Sequence, residues 1–263
     1  MAVQLTHLLH APAEAETSPP LLIAHGLYGS ARNFNSLGKR LAVGRRVVSV
    51  DMRNHGDSPW ADAMGYPEMA EDLADAVARL CGGRAVVLGH SMGGKAAMAL
   101  ALSRPDLVEA LIVADIAPVP YDHSHAGYID AMQGVDLARV TRRSEAEPML
   151  AEALPDRMLR SFLLQNLVIE DGAARWRLNL AALKAALPDL MDWPGAWPEP
   201  AFEGPSLFLH GGASDYLVPE MQPRIRGLFP DAEFQMLERA GHWLHAEQPE
   251  AFLAAVSRFL DAL

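Results

Sequence analysis

The sequence predicts an α/β protein whose mostly parallel, doubly wound sheet is interrupted by a helical insertion. Three observations predict it. Short apolar runs ending in turn residues recur along the chain, and helical stretches lie between most of them. The alternation then breaks between Val119 and Pro200, where helical patterns continue with almost no strand signal. Strands are expected at Leu21–Ala24, Val47–Val50, Ala85–Leu88, Ala110–Ala114 and Ser206–Leu209, with a short one at Glu233–Leu237. The first five are almost unbroken aliphatic runs, the pattern of strands covered on both faces.

Helices are expected at Phe34–Leu41, Pro67–Leu80, Met92–Leu102, Pro219–Leu228 and Pro249–Leu263. The third must stop before Pro105, because proline disfavours helix in the residue before it. Within the insertion the helical candidates are His125–Met132, Ser144–Ala153, Asp156–Leu164 and Trp176–Leu187. Trp193 to Pro198 reads as the loop that re-enters the core. Residues 1–118 and 201–263 are therefore expected to form one core, with 119–200 a helical cap inserted into it. In the insertion, Met132, Leu163, Trp176 and Leu183 fit the core of the cap better than a cavity lining.

At 263 residues and 50% hydrophobic content, the chain can bury one large core with a small insertion. Its net charge of −11, with no basic stripe, argues against nucleic acid and anionic membranes as partners. Met1–Pro20 carries no basic leader and no long apolar stretch, so neither a membrane span nor a secretory signal is expected, and the location expected is cytoplasmic. The single cysteine, Cys81, excludes an internal disulfide and reads as a packing residue. Composition does not distinguish a monomer from a dimer.

The chemistry-bearing motif is Gly89-His90-Ser91-Met92-Gly93, which directly follows the Ala85–Leu88 run and opens a helical stretch. Strand, sharp turn and helix are what a nucleophile elbow requires: the serine takes a backbone conformation that side chains avoid, and flanking glycines let strand and helix approach. Gly94, Ala96 and Ala97 keep that helix slim. Its N-terminus aims free N–H groups and the positive end of a dipole at the serine, and Met92 N–H is the expected oxyanion donor. The Gly-rich turn His25-Gly26-Leu27-Tyr28-Gly29 is expected to supply a second donor, Leu27 N–H.

A serine at neutral pH needs a base and a carboxylate to orient that base. His242, in Arg239-Ala240-Gly241-His242-Trp243 after the last strand, is the candidate base. Two carboxylates compete for the third role: Asp215 in Gly211-Gly212-Ala213-Ser214-Asp215, and Asp115 in Val113-Ala114-Asp115-Ile116-Ala117-Pro118. Both loops open at the same sheet edge, and spacing does not separate them. His25, Tyr28 and Trp243 are expected to border the substrate, with His25 structural rather than catalytic. Asp51, Arg53 and His55 are read as loop braces. His123-Ser124-His125 and His242-x-x-His245 lack a third ligand at diagnostic spacing, so no metal and no cofactor is expected.

These blocks resemble the α/β-hydrolase superfamily along the whole chain: His25-Gly26, Asp51 to Pro59, Gly89 to Lys95, and Gly241 to Glu247. Lys95 and Asp115-Ile116-Ala117-Pro118 are similar to the corresponding residues of the small bacterial esterases related to YbfF and of the ABHD11-type hydrolases. The resemblance implies a serine esterase or thioesterase with a helical cap over its cleft, acting on a small-molecule ester or thioester. The superfamily pattern implies Asp215 as the acid, favoured slightly here; the closer group implies Asp115. Serine at the elbow argues against the dehalogenases and epoxide hydrolases of the fold. Carbon–carbon bond hydrolases and perhydrolases on the same residues stay open, as does a small-ligand receptor built on the scaffold.

Overall fold

The computed structural model describes residues 1–122, 124–194 and 202–263. The chain opens with β1 (His7–His10), β2 (Leu21–Ala24), α1 (Asn35–Leu41), β3 (Val47–Val50), α2 (Tyr66–Leu80), β4 (Ala85–His90), α3 (Met92–Ser103) and β5 (Val108–Ala114). It continues through α4 (Ala126–Gln133), α5 (Arg143–Ala151), α6 (Arg157–Leu164), β6 (Leu167–Glu170), β7 (Ala173–Trp176) and α7 (Leu180–Met191). The last elements are β8 (Ser206–Gly211), α8 (Gln222–Leu228), β9 (Ala232–Leu237), α9 (Leu244–Glu247) and α10 (Pro249–Asp261).

The main sheet has seven strands in the order β1-β3-β2-β4-β5-β8-β9. Its β1 is antiparallel to β3, and every other pair is parallel. The chain winds outward from β2 to β3, then returns to lay β4 on the other side of β2. That reversal opens a crevice past the carboxyl ends of β2 and β4, where open α/β sheets take their ligands. Residues of β2, β3 and β4 are buried throughout. Alternate side chains serve opposite faces. Leu22, Val48, Val87 and Leu111 pack in the core that contains α2 and α3, while Leu21, Val47, Val86 and Ile112 pack in the core with α1 and α10.

Two features depart from the expected element pattern. First, β1 was not anticipated: it is a partly exposed edge strand with a single neighbour, so its four residues carry no continuous apolar run. Second, β6 and β7 form an antiparallel hairpin inside the stretch expected to be helical. Its turn residues Asp171 and Gly172 both have positive φ, 51° and 79°, the conformation that an Asp-Gly pair favours in a two-residue hairpin. The helix expected from Trp176 therefore starts later, at Leu180, where Asn179 caps it by accepting from Ala182 N–H at 3.3 Å. Of the Trp193 to Pro198 loop, only Trp193 and Pro194 lie among the described residues, and His123 lies outside them. Among the described residues no helix is long and apolar enough to cross a membrane.

Candidate active site

Strand register brings the site together. Gly89 of β4 pairs with Val113 and His90 with Ala114 of β5, so Ser91 and Asp115 are the first residues past two adjacent strands. Ser91 N–H donates to Ala114 O at 3.0 Å, and Asp115 N–H donates to Leu209 O at 2.8 Å. Both residues then leave the strand with positive φ, 53° for Ser91 and 54° for Asp115. Such conformations cost about 1–3 kcal/mol each and persist only where the surroundings impose them. The imposition is visible at the elbow: a side chain on Gly89 would collide with the Gly93 carbonyl, and one on Gly93 with the carbonyls of Ala24 and His25.

His242 arrives from the loop between β9 and α9. Its backbone is clamped on both sides, since Glu247 accepts from Gly241 N–H at 2.7 Å and from Trp243 N–H at 3.2 Å. From below, the His90 ring donates through Nε2 to His242 O at 2.8 Å. Burial, with His245 and His242 nearby, holds the His90 imidazole well below its usual pKa, so it stays neutral and keeps this donor orientation.

The side chains then form one continuous relay. Ser91 Oγ lies 3.0 Å from His242 Nε2, and His242 Nδ1 donates to Asp115 Oδ2 at 2.8 Å. The Asp115 carboxylate is fully buried and the imidazole partly exposed. Two further donors hold Asp115: Gly211 N–H reaches Oδ1 at 2.9 Å, and the Ser214 hydroxyl donates to Oδ2. Such a relay can take a proton from an alcohol while stabilising the imidazolium that results. The acid favoured from the sequence is not the one in contact: Asp215 is exposed and makes no hydrogen bond to His242. The physical reason lies in loop direction. From the last residue of β8 onward the chain spends Gly211 and Ser214 on Asp115, Tyr216 stacks on the His242 ring at 3.8 Å between centroids, and Asp215 between them is exposed.

The crevice at this edge is a partly enclosed cavity. Ser91, His242, Leu27, Tyr28 and Trp243 all line it. The backbone N–H groups of Leu27 and Met92 make no hydrogen bond among the described residues, so two donors stay open beside Ser91. The loop that carries Leu27 is braced from beneath. Tyr28 N–H donates to His55 Nε2 at 3.1 Å, while His55 Nδ1 donates to Arg53 O at 2.8 Å. Arg53 in turn binds Asp72. His25 lines the cavity, yet both ring nitrogens are used, with Nδ1 donating to Gly26 O and Nε2 accepting from Met52 N–H. Burial lowers its pKa to about 4, so it is a neutral brace and has no ring nitrogen to offer a substrate.

From the inserted segment, Leu159, Phe162, Leu190 and Met191 reach the cavity. Met132, Leu163, Trp176 and Leu183 are buried among one another's neighbours in the core instead.

Fold and site geometry agree with a family comparison. A family model described as alpha/beta hydrolase fold matches residues 19–249. The chain belongs to the α/β-hydrolase family. This hydrolase is 44% identical over 252 residues to the mouse (Mus musculus) protein named sn-1-specific diacylglycerol lipase ABHD11, covering 93% of this chain and 81% of that one. It is 37% identical to esterase YbfF of Escherichia coli, covering 92% of this chain and 93% of that one. A solved structure described as a marine microorganism esterase superposes with a TM-score of 0.92 at 37% identity, over 98% of this chain and 100% of that one. With relatives of these kinds, the chain is an ester hydrolase of the carboxylesterase type.

Four residues around the relay of this hydrolase were assigned no role from sequence: His90, Ser214, Tyr216 and Glu247. Each sits within three positions of a candidate residue or within the resemblance blocks, but what it touches depends on loop paths that no spacing encodes.

Proposed function

We propose that this hydrolase cleaves carboxylic esters, and acyl thioesters, through a Ser91–His242–Asp115 triad and an acyl-enzyme intermediate. The observation that carries the reading is the unbroken relay of 3.0 Å and 2.8 Å ending on a buried carboxylate at the cavity wall. His242 Nε2 takes the Ser91 proton as Oγ attacks the carbonyl carbon. Leu27 and Met92 N–H hold the oxyanion, with the α3 dipole adding to the field. Collapse of the tetrahedral species expels the alcohol or thiol, which takes the proton from His242. Water then repeats the sequence on the acyl-enzyme and regenerates Ser91.

Residues 119–200 act in this reading as a cap, because Leu159, Phe162, Leu190 and Met191 contribute apolar side chains to the cavity that Ser91 lines. The diacylglycerol named for ABHD11 and the esters implied by YbfF both offer the acyl-oxygen bond the mechanism needs. The test is hydrolysis of p-nitrophenyl esters from acetate to palmitate, and of acyl-CoA thioesters, by wild type and Ser91→Ala. Turnover that depends on Ser91 is expected, together with labelling of Ser91 by a fluorophosphonate. Full turnover in a contaminant-free Ser91→Ala preparation overturns the mechanism.

A further inference from the structure

Lys95 is a buried cation that the proposed reaction does not use. It stands one turn beyond Ser91 in α3, its N–H donating to Ser91 O at 3.0 Å. Only its backbone lies in that first turn; the ammonium reaches the C-terminal carbonyls of α7, the helix end that carries negative partial charge. The side chain is only 1% exposed. Its Nζ donates to Asp192 O at 2.7 Å and Met191 O at 3.3 Å, at the C-terminal end of α7. It also lies 4.7 Å from the ring centre of Tyr121 and 5.6 Å from that of Tyr66.

None of these contacts is a hydrogen bond to a formal anion. Arg53, equally buried, meets both oxygens of the Asp72 carboxylate at 2.6 Å and 2.7 Å. Among the described residues no carboxylate hydrogen-bonds to Lys95, and no Asp or Glu lines the cavity whose wall it shares with Ser91. The ionisable groups facing it are the phenols of Tyr66 and Tyr121 and, through space, the Asp192 carboxylate; α3 itself has no other charged residue. Burial pushes the Lys95 ammonium down to about 7, the mark of a cation short of an anion. Two of its three N–H groups are spent on carbonyls, leaving one donor. In a chain of net charge −11, Lys95 is the lysine or arginine that lines the cavity among the described residues.

We propose that Lys95 is a receptor for a carboxylate carried by the substrate away from the scissile bond, so that the hydrolase prefers monoesters of dicarboxylic acids, or esters of hydroxy acids, over uncharged esters of equal length. This rests on the hydrolase reading above and names its substrate class. A bound carboxylate replaces the missing counter-ion and restores the ordinary basicity of Lys95, so above pH 7 binding takes up a proton.

The test uses matched p-nitrophenyl esters whose acyl chains end in a methyl or in a carboxylate, with a second matched pair carrying the carboxylate on the alcohol. Wild type is expected to favour one carboxylate-bearing member by at least about tenfold in kcat/KM. Lys95→Met should erase that ratio and Lys95→Arg retain part of it; because the ratio is taken within one protein, loss of folded enzyme cancels. Calorimetry on Ser91→Ala protein at pH 8, in buffers of different ionisation enthalpy, should record proton uptake with the preferred ester and none after Lys95→Met is added. A ratio near one in wild type for both pairs, or a ratio that Lys95→Met leaves intact, overturns the proposal and leaves Lys95 as a tie to α7. If Ser91→Ala hydrolyses as fast as wild type, the triad reading falls, while the calorimetric arm still judges the Lys95 site.

Discussion

At the scale of the residue, the two aspartates show how little separation along the chain says about reach. Asp215 sits in the setting that hydrolase sequences commonly use for the acid, yet Asp115, bound by Gly211 N–H, Ser214 and His242, is the carboxylate in the relay. Replacing Asp115 with Asn should lower kcat by about 10⁴-fold, since the amide cannot hold the same imidazole tautomer or stabilise the imidazolium. Asp215→Asn should change kcat less than severalfold; steady-state kinetics on one ester compare them directly, and a larger loss at Asp215 would reverse the assignment. Tyr216 stacks on His242 at 3.8 Å with the planes 22° apart. Tyr216→Leu is expected to lower kcat about tenfold or more while KM moves little, because an imidazole that swings loses its aligned geometry, whereas Tyr216→Phe should keep most of the rate.

At the scale of the element, the strand–turn–helix from β4 to α3 depends on absent side chains. Gly93 has no room for a methyl group, because the carbonyls of Ala24 and His25 occupy that place. Gly93→Ala should cost on the order of 2–4 kcal/mol, visible as a lower midpoint in urea or heat, since backbone carbonyls cannot move aside as a flexible side chain does. This element was legible from sequence because an unbroken apolar strand, a small-residue turn and a slim helix are each local patterns. The β6–β7 hairpin had a local signal too, the Asp171-Gly172 pair, but it lay among residues with helical composition. Edge strand β1 carried none: half of its surroundings are solvent, so no burial pattern is written into it.

At the scale of the whole molecule, the cost of burying the ground beneath the site at one sheet edge appears in its histidines. His25 is pushed down to about 4, and His55 and His245 to about 3, by burial above all; His90 is lowered as well. Unfolded, these rings titrate near 6.5, so on acidification the unfolded chain binds protons that the folded chain refuses. Stability from this source is complete above about pH 6.5 and is lost progressively toward pH 3–4, each ring contributing a slope of up to ~1.4 kcal/mol per pH unit. Thermal unfolding followed from pH 8 to pH 4 should show a midpoint that falls steeply below about pH 6.5, where the four rings act together, while above pH 7 only the shallower slope of the single Lys95 remains. A midpoint unchanged down to pH 4 would mean the rings are charged in the folded state.

The sequence by itself determined the sheet's central strands, the elbow that presents Ser91, the loop that carries His242 and the two candidate oxyanion amides. Each of these follows from residues adjacent in the chain, where apolar runs, glycine spacing and helix starts act within a few bonds. Only the tertiary structure decided which aspartate meets the imidazole, and it also brought Ser214 and Tyr216 to that pair and closed Lys95 into the cavity wall with no carboxylate hydrogen-bonded to it among the described residues. The contacts made by Asp115 and Lys95 join residues roughly one hundred or more positions apart, and whether a loop delivers one side chain or its neighbour turns on a single backbone rotation.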